Sequence, residues 1–348
     1  MSIPDTAREY RLPKYASGIQ SLAIHHAPVA KPKPEEVLVK IHAVSLNYRD
    51  LAICTGHYPM EVKDALVICS DCSGEIVSVG DNVQTQWKIG DRVCVNVFPT
   101  HKHGQADDKT LATVPGGLDD GVLVEYRTFP QSGLVRVPEH LTYEEASTLG
   151  GAGLTAYVAL TGPVPLKGGD TVLVLGTGGV SMFALQFAVA SGATVIATSS
   201  SDNKLAIAQK HGAHHLINYN KNPNWDEEVL KVTNGRGVDH IIEVGGAGTL
   251  AKSFRSVSYG GWIHSIGFLA EGGEQVNAGF ATIMKGCVLR GILGLSVSQF
   301  EDMNRFISAA QIRPVVDKVF PFEVAQEALE YLGSQKFVGK VVIKVAQE

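Results

Sequence analysis

The chain has 348 residues, 45% of them hydrophobic and 19% charged, with a formal net charge of −5. It is long enough for one large core or two domains, and its composition is that of an ordinary globular protein. No basic block tracks a phosphate backbone, which sets nucleic acid aside as the main partner, and no run approaches the ~18 apolar residues of a membrane span. The cysteines Cys54, Cys69, Cys72, Cys94 and Cys287 are too scattered for a disulfide framework and read as reduced, buried thiols. Met1–Tyr15 holds no apolar leader, so the expected location is the cytoplasm.

Glu36–Val44 alternates apolar and polar residues, with Val37, Val39, Ile41 and Ala43 on one face. Short β-rich runs follow at Ala65–Ile68, Gly74–Val79, Arg92–Val97, Val122–Phe129 and Gly133–Val137, with turns at 80–82 and 90–91. This spacing predicts a rolled antiparallel β domain. Thr100–Gly121, rich in His, Asp, Lys and Gly, reads as a surface loop. Thr142 with Glu145 forms a capping-box pattern that opens a helix through Thr148, and a second helical run covers Leu154–Leu160.

Thr171–Leu175 is an apolar strand that runs into Gly176-Thr177-Gly178-Gly179-Val180-Ser181 and a helix over Met182–Ala190. A helix that starts at a glycine turn presents free N–H groups and a positive dipole end, a site for phosphate. Ser181 stands where a third glycine is usual and is small enough to replace it. Strands at Thr194–Thr198, Leu216–Asn218, Val238–Val244 and Gly261–Gly267 then alternate with helices at Asp202–His211, Trp225–Thr233 and Leu250–Val257. The alternation predicts a doubly wound parallel sheet, so the fold class is α/β with a β-rich domain beside a dinucleotide-binding one. The strand ends Gly176, Ser199, Gly245 and Gly267 share one edge, joined by Tyr219, Val244 and Phe268.

A strand tip that grips an unphosphorylated adenosine ribose ends in Asp or Glu. Here it ends in Ser199-Ser200-Ser201, with Lys204 one turn on. Hydroxyls and an ammonium suit a 2′-phosphate, so the expected cofactor is NADP(H). Asp202 is expected to cap the following helix.

Several segments resemble the medium-chain dehydrogenase/reductase superfamily, and its quinone-oxidoreductase and enoyl-reductase branches most. They are Asn47-Tyr48-Arg49-Asp50, Gly74–Gly80, Gly90–Val93, Asp120-Gly121 through Glu125-Tyr126, Gly153–Ala156, the turn at 176–180 and Phe337–Val342, and they span nearly the whole chain. The resemblance implies a GroES-like catalytic domain over 1–152 and 299–348 and a Rossmann domain over 153–298, with the cofactor in the cleft between them. It implies a homodimer through a strand at Val288–Leu293. It also implies that Thr155, Leu293 within Gly291–Ser296, and Lys340 border the nicotinamide.

Zinc-dependent members of that superfamily hold the metal with a Cys, a His-Glu pair and a second Cys. Asn47, Ser70-Asp71 and Gly151 stand at those positions, and Thr100–Gly121 contains no cysteine of a structural-zinc lobe. Zinc needs at least three converging protein donors, so no metal is expected. The rival set is Cys69, Cys72, Cys94, His101 and His103; its bland reading is small core residues and ordinary histidines.

Without a metal, a reductase must meet a developing oxyanion with hydrogen-bond donors or a general acid. That suits hydride addition to an activated C=C bond of a quinone, enone or enoyl thioester. The catalytic candidates are Asn47, Tyr48, Asp50 and Tyr58, with Arg49 and Asp71 nearby. Tyr58 resembles the family's substrate-side tyrosine, and Asn47 and Asp50 match positions that shape its nicotinamide pocket. Each has an alternative: Tyr48 as a packed core residue, Asp50 as a helix cap, Arg49 as a salt-bridged side chain, Asp71 as the support of Arg49 or of a backbone turn. The expected function is a zinc-independent, NADPH-dependent oxidoreductase acting on a small molecule. The alternatives are an alcohol dehydrogenase or carbonyl reductase, and a non-catalytic NADPH-binding protein. Thr100–Gly121 and Phe268–Ile283 are expected to shape the substrate pocket.

Overall fold

A computed structural model describes residues 3–13, 18–83, 86–270 and 272–346. Parts of two sequence readings, at residues 1–2 and 14–15 of the N-terminus and at Glu271 of the pocket stretch, lie outside the described residues. The chain divides into two compact units: unit 1 is Met1–Leu154 with Gly294–Glu348, and unit 2 is Thr155–Leu293. The strands of the first part of unit 1 are β1 Thr6–Leu12, β2 Ala23–Pro28, β3 Glu36–Ser45, β4 Leu66–Val67, β5 Asp71–Val79, β6 Arg92–Val95, β7 Tyr126–Pro130 and β8 Leu134–Arg136. Unit 2 contains β9 Thr171–Val174, β10 Thr194–Ser199, β11 His215–Asn218, β12 Val238–Glu243, β13 Val257–Ser265 and β14 Val288–Gly291. The chain then returns to unit 1 as β15 Val316–Pro321 and β16 Lys340–Lys344.

Unit 1 is built on a seven-stranded sheet of order β15-β16-β3-β5-β6-β8, with β7 also on β3, and a smaller sheet β2-β1-β4. The alternation read in Glu36–Val44 is real: Val37, Val39, Ile41 and Ala43 are fully buried. The central strand β3 takes β5 on one side and β16 on the other, both antiparallel, pairing Ser45 with Asp71 and with Val342. That register brings the start of β5 and the start of β16 to the end of β3, though the three segments are far apart in sequence. β1 and β2, which carry no strong turn signal, were not legible as strands.

Thr100–Gly121 is more than a surface loop. It contains a short helix, Asp108–Leu111, and its last residues turn inward. A Cβ on Gly116 would lie 2.5 Å from the Cys69 carbonyl oxygen, and one on Gly121 2.2 Å from that of Ile68, so this segment clamps the backbone at 68–69. Cys69 itself has φ 70°, a left-handed conformation unusual for a residue with a side chain. The capping box at Thr142 and Glu145 is present, with reciprocal bonds of 2.9 and 3.2 Å.

Unit 2 is a six-stranded parallel sheet of order β11-β10-β9-β12-β13-β14, the 3-2-1-4-5-6 winding of dinucleotide-binding domains. Val172, Leu173, Val195, Ile196, Ile241 and Ile263 are fully buried, as strands covered on both faces require. The helix after the glycine turn begins at Gly179, earlier than Met182. Asp202 does not cap its helix. Ser201 occupies the N-cap without a side-chain bond, and the Asp202 carboxylate instead accepts from Asn218 Nδ2 at 2.6 Å and from Lys221. A neighbouring strand end with two donors outcompetes the local cap. Among the described residues no helix is long and apolar enough to cross a membrane.

Candidate active site

In unit 2 the carboxyl ends of the parallel strands form one edge, where ligands bind in such sheets. Gly176, Thr177, Gly178, Gly179 and Val180 follow β9, and Ser199 ends β10. Ser200, Ser201 and Lys204 lie in the next turn and helix; Tyr219 follows β11; Val244 and Gly245 follow β12. Gly267 and Phe268 follow β13, Leu293 follows β14, and Thr155 stands at the start of the unit on the helix Leu154–Thr161. Gly176 has φ 73°, which only glycine adopts without strain. Gly178 differs: its φ is −74°, and a Cβ there would meet nothing within 4 Å. Within the protein its one role is as the helix N-cap, which Ser, Thr, Asp or Asn fills as well; a phosphate resting on the helix start would require the open space. Ser181 answers for the missing third glycine: its buried hydroxyl donates to the Leu175 carbonyl at 2.7 Å, tying the helix to the strand.

Gly245 and Gly267 owe their glycine to internal packing, since a Cβ would lie 2.3 Å from Thr249 Oγ1 and 2.6 Å from the Val244 oxygen. Behind this turn lies Glu243, which sequence reasoning missed. It is fully buried and accepts from Gly245 N at 2.8 Å, Gly246 N at 3.0 Å, Thr249 Oγ1 at 2.5 Å and Ser253 Oγ. The only signal was a carboxylate directly after the apolar pair Ile241-Ile242 at the strand's end. The donor-lined helix start, the open Gly178 and the hydroxyls of Ser200 and Ser201 fit a dinucleotide, whereas Ser199, expected to join them, is buried.

In unit 1, Asn47 precedes the helix Tyr48–Cys54, and its backbone N–H donates to Asp50 Oδ2 at 2.8 Å. Asp50 is therefore engaged in capping; it is fully buried, and its Oδ1 has no partner among the described residues. Burial lifts its carboxyl to about 6, against the pull of Arg49 and of the Asn47 N–H. Tyr48 is exposed, contrary to the packed-core alternative. Tyr58 packs on the unit 1 core and donates to Met60 Sδ at 3.6 Å, while the Arg49 guanidinium lies 5.9 Å over its ring and donates to the Pro115 carbonyl at 2.6 Å.

The side chain of Asn47 is held at both ends. Its Nδ2 donates to Asp71 Oδ2 at 3.0 Å, and its Oδ1 accepts from Lys340 Nζ at 2.6 Å. Asp71 Oδ2 also accepts from Gly151 N at 3.0 Å, and Oδ1 from Ser70 Oγ at 3.3 Å. Gly151 lies in a π-helical turn, Leu149–Gly153, a distortion common at functional sites. A Cβ at 151 would sit 2.4 Å from Asp71 Oδ2. Burial pushes Asp71 up, opposed by the Lys340 charge and by bonds from Asn47, Gly151 and Ser70; burial pushes Lys340 down, opposed by Asp71 and Asp50. Lys340, expected at the nicotinamide border, is buried in unit 1, with its ammonium engaged by Asn47 and by the Leu46 carbonyl at 2.5 Å.

These residues do not fit zinc. Of Asn47, Ser70, Asp71 and Gly151, one carries a carboxylate, and both its oxygens are occupied by protein donors. Among the described residues no group of three or more His, Cys, Asp and Glu side chains is arranged for a metal ion. Cys69, Cys72 and Cys94 are buried, and the Cys94 thiol donates to the Ala146 carbonyl at 3.3 Å.

Residues 33–139 match the alcohol dehydrogenase GroES-like domain family, and residues 179–309 match the family described as zinc-binding dehydrogenase. A zinc-type alcohol dehydrogenase-like protein of Schizosaccharomyces pombe is 47% identical over 323 residues, 90% of this chain and 92% of its own length. A quinone oxidoreductase of Sus scrofa is 28% identical over 321 residues, 90% of each. The crystal structure of a protein described as an alcohol dehydrogenase from Sinorhizobium meliloti superposes with TM-score 0.90 at 36% identity, covering 99% of this chain and 100% of that one. The two folds, the dinucleotide-type sheet edge and these relatives agree: the chain is an oxidoreductase of the medium-chain dehydrogenase/reductase superfamily, a family that binds nicotinamide cofactors.

Proposed function

We propose that this protein is a zinc-independent, NADPH-dependent reductase of activated C=C bonds in a quinone, enone or enoyl thioester. The observation that carries the reading is the hydrogen-bonded set Asn47–Asp71–Gly151, joined by Lys340, in which positions 47, 71 and 151 are those where the resemblance places the superfamily's metal ligands. The glycine turn at 176–180 and the strand ends beside it would hold the cofactor, which would supply a hydride. Asn47 then offers an amide N–H to the substrate oxygen as charge develops on it, and the α-carbon takes its proton from water or from the exposed Tyr48 phenol. Asp50 caps the helix that carries Tyr48. The test is NADPH oxidation over quinones, enones and enoyl thioesters with the products identified. A saturated ketone or thioester supports the reading. An allylic alcohol favours the alcohol dehydrogenase reading, which the names of the S. pombe and S. meliloti proteins support. Tight NADPH binding with no turnover favours a non-catalytic role.

The dinucleotide site has its own test. Gly178→Val is expected to weaken NADPH binding at least about 10-fold in a fluorescence titration, with a melting temperature lowered only by modest loss of helix capping. Unchanged affinity would move the phosphates elsewhere. For the 2′-phosphate, Ser200→Asp, at the partly exposed serine beside the buried Ser199, is expected to lower kcat/KM with NADPH about 100-fold and to favour NADH, because apposed like charges cost several kcal/mol. Equal use of both cofactors by the wild type would sink the NADP assignment.

A cytoplasmic homodimer completes the proposal. The unpaired, buried thiols suit a reducing compartment. β14 is the edge of its sheet, and the preceding helix exposes Phe280 at 62% and Ile283 at 78%, an uncovered apolar patch beside an open edge. Ile283→Glu is expected to yield monomers in sedimentation velocity; a wild-type monomer would refute the dimer.

A further inference from the structure

We infer that Lys340 is a positioning residue whose buried ammonium, acting through the side-chain amide of Asn47, orients and strengthens the N–H donor offered to the substrate oxygen. The inference rests on the proposed C=C reduction and adds a role for a residue that the reaction itself does not touch.

The amide of Asn47 has one stable orientation. With Oδ1 toward the Lys340 ammonium at 2.6 Å and Nδ2 toward the Asp71 carboxylate at 3.0 Å, both contacts attract. Turned over, the amide would point its oxygen at a carboxylate and its hydrogens at an ammonium, and both would repel. The NH₂ group carries two hydrogens and Asp71 takes one. The second stays in the amide plane, on a residue that is partly exposed, whereas the charged side chains around it, Asp50, Asp71 and Lys340, are buried.

The ammonium also changes the quality of that donor. A cation bonded to the amide oxygen draws electron density from nitrogen to oxygen, so the remaining N–H becomes a better donor to a developing anion. Hydrogen bonds in a chain reinforce one another where water is excluded. Lys340 is placed for this by strand register. Val342 pairs with Ser45, and Leu46 N–H donates to the Val341 carbonyl at 3.0 Å, so the first residue of β16 lies beside Asn47. Its ammonium also balances the carboxylates of Asp71 and Asp50.

The experiment is a double-mutant cycle in the full-length protein: Lys340→Met, Asn47→Ala and the pair, with NADPH and the acceptor that the wild type reduces. Lys340→Met is expected to lower kcat about 10- to 100-fold with the dissociation constant for NADPH unchanged. In the Asn47→Ala background it is expected to have no further effect. The same fold-loss in both backgrounds would overturn the inference, because Lys340 would then act without Asn47. Lys340→Gln, which keeps a donor and loses the charge, is expected to fall between wild type and Lys340→Met, and it carries the test should the methionine variant not fold. A second readout needs no turnover. Thermal denaturation of Lys340→Met, Asp71→Asn and their combination is expected to show the double variant more stable than Lys340→Met alone, since it removes a carboxylate left without its cation. Additive losses would overturn the ionic network. If the wild type reduces no acceptor, the proposed function fails, and the denaturation arm still judges the network.

Discussion

Asn47→Ala is expected to lower kcat for quinone or enone reduction about 10²- to 10³-fold, or roughly 3–4 kcal/mol of transition-state stabilisation, the usual consequence of deleting one oxyanion donor. Binding of NADPH to the free protein is expected to stay unchanged, because the glycine turn at 176–180, proposed to hold the phosphates, belongs to a separate compact unit. Steady-state kinetics paired with fluorescence titration of NADPH separate the two quantities. An unchanged kcat would remove Asn47 from the chemistry. A parallel loss of NADPH affinity would make it a cofactor ligand. Some stability should be lost as well, since Lys340 and Asp71 each lose a hydrogen-bond partner within the buried set.

Asp50→Asn is expected to alter the pH dependence of stability more than it alters turnover. Burial raises the Asp50 carboxyl from 3.8 to about 6. Between those values the folded chain holds a proton that the unfolded chain has released. Its contribution to stability is thus fully present below pH ~4 and is lost as pH rises through ~6, a change of about 3 kcal/mol. Asn at this position never ionises, and its oxygen can still accept from the Asn47 N–H. Denaturant titrations should therefore show the decline between pH 4 and 6 reduced in the variant. At pH 8 the variant should gain about 1 kcal/mol, the remainder being offset by amide hydrogens placed where Oδ1 now has no partner. A uniform loss at all pH values would mean that Asp50 is ionised and compensated in the folded protein. A loss of kcat beyond about 100-fold with stability intact would restore Asp50 as a general acid or base.

Unit 2 was nearly all legible along the chain. Apolar runs such as Val172–Leu175 and Val195–Ala197 alternate with helical segments, and each element is set by local periodicity and by glycine turns. Elements of that kind are decided within ten or so residues. The cap assigned to Asp202 failed for a complementary reason. Asn218 and Lys221 belong to a neighbouring strand end, and a local pattern does not record which strands become neighbours. Glu243 was missed for a different reason: its partners, the backbone of the following turn and the hydroxyls of Thr249 and Ser253, are near in sequence, but their convergence on one carboxylate depends on how that turn folds back.

The sequence by itself determined the class of protein: an α/β chain with a glycine turn that opens a helix and, through its resemblance to the superfamily, Asn47, Ser70-Asp71 and Gly151 where zinc-dependent members hold their metal. These follow from side-chain identity and short-range spacing. Only the tertiary structure decided what replaces the ligands. Asn47, Asp71 and Lys340 are separated by tens to hundreds of residues and meet because β5 and β16 pair on opposite sides of β3 in one particular register. A slip of one residue would turn every side chain of those strands to the other face. Lys340 read in isolation is a cation near the end of the chain; beside Asn47 it is a buried charge whose hydrogen bonds fix the orientation of an amide.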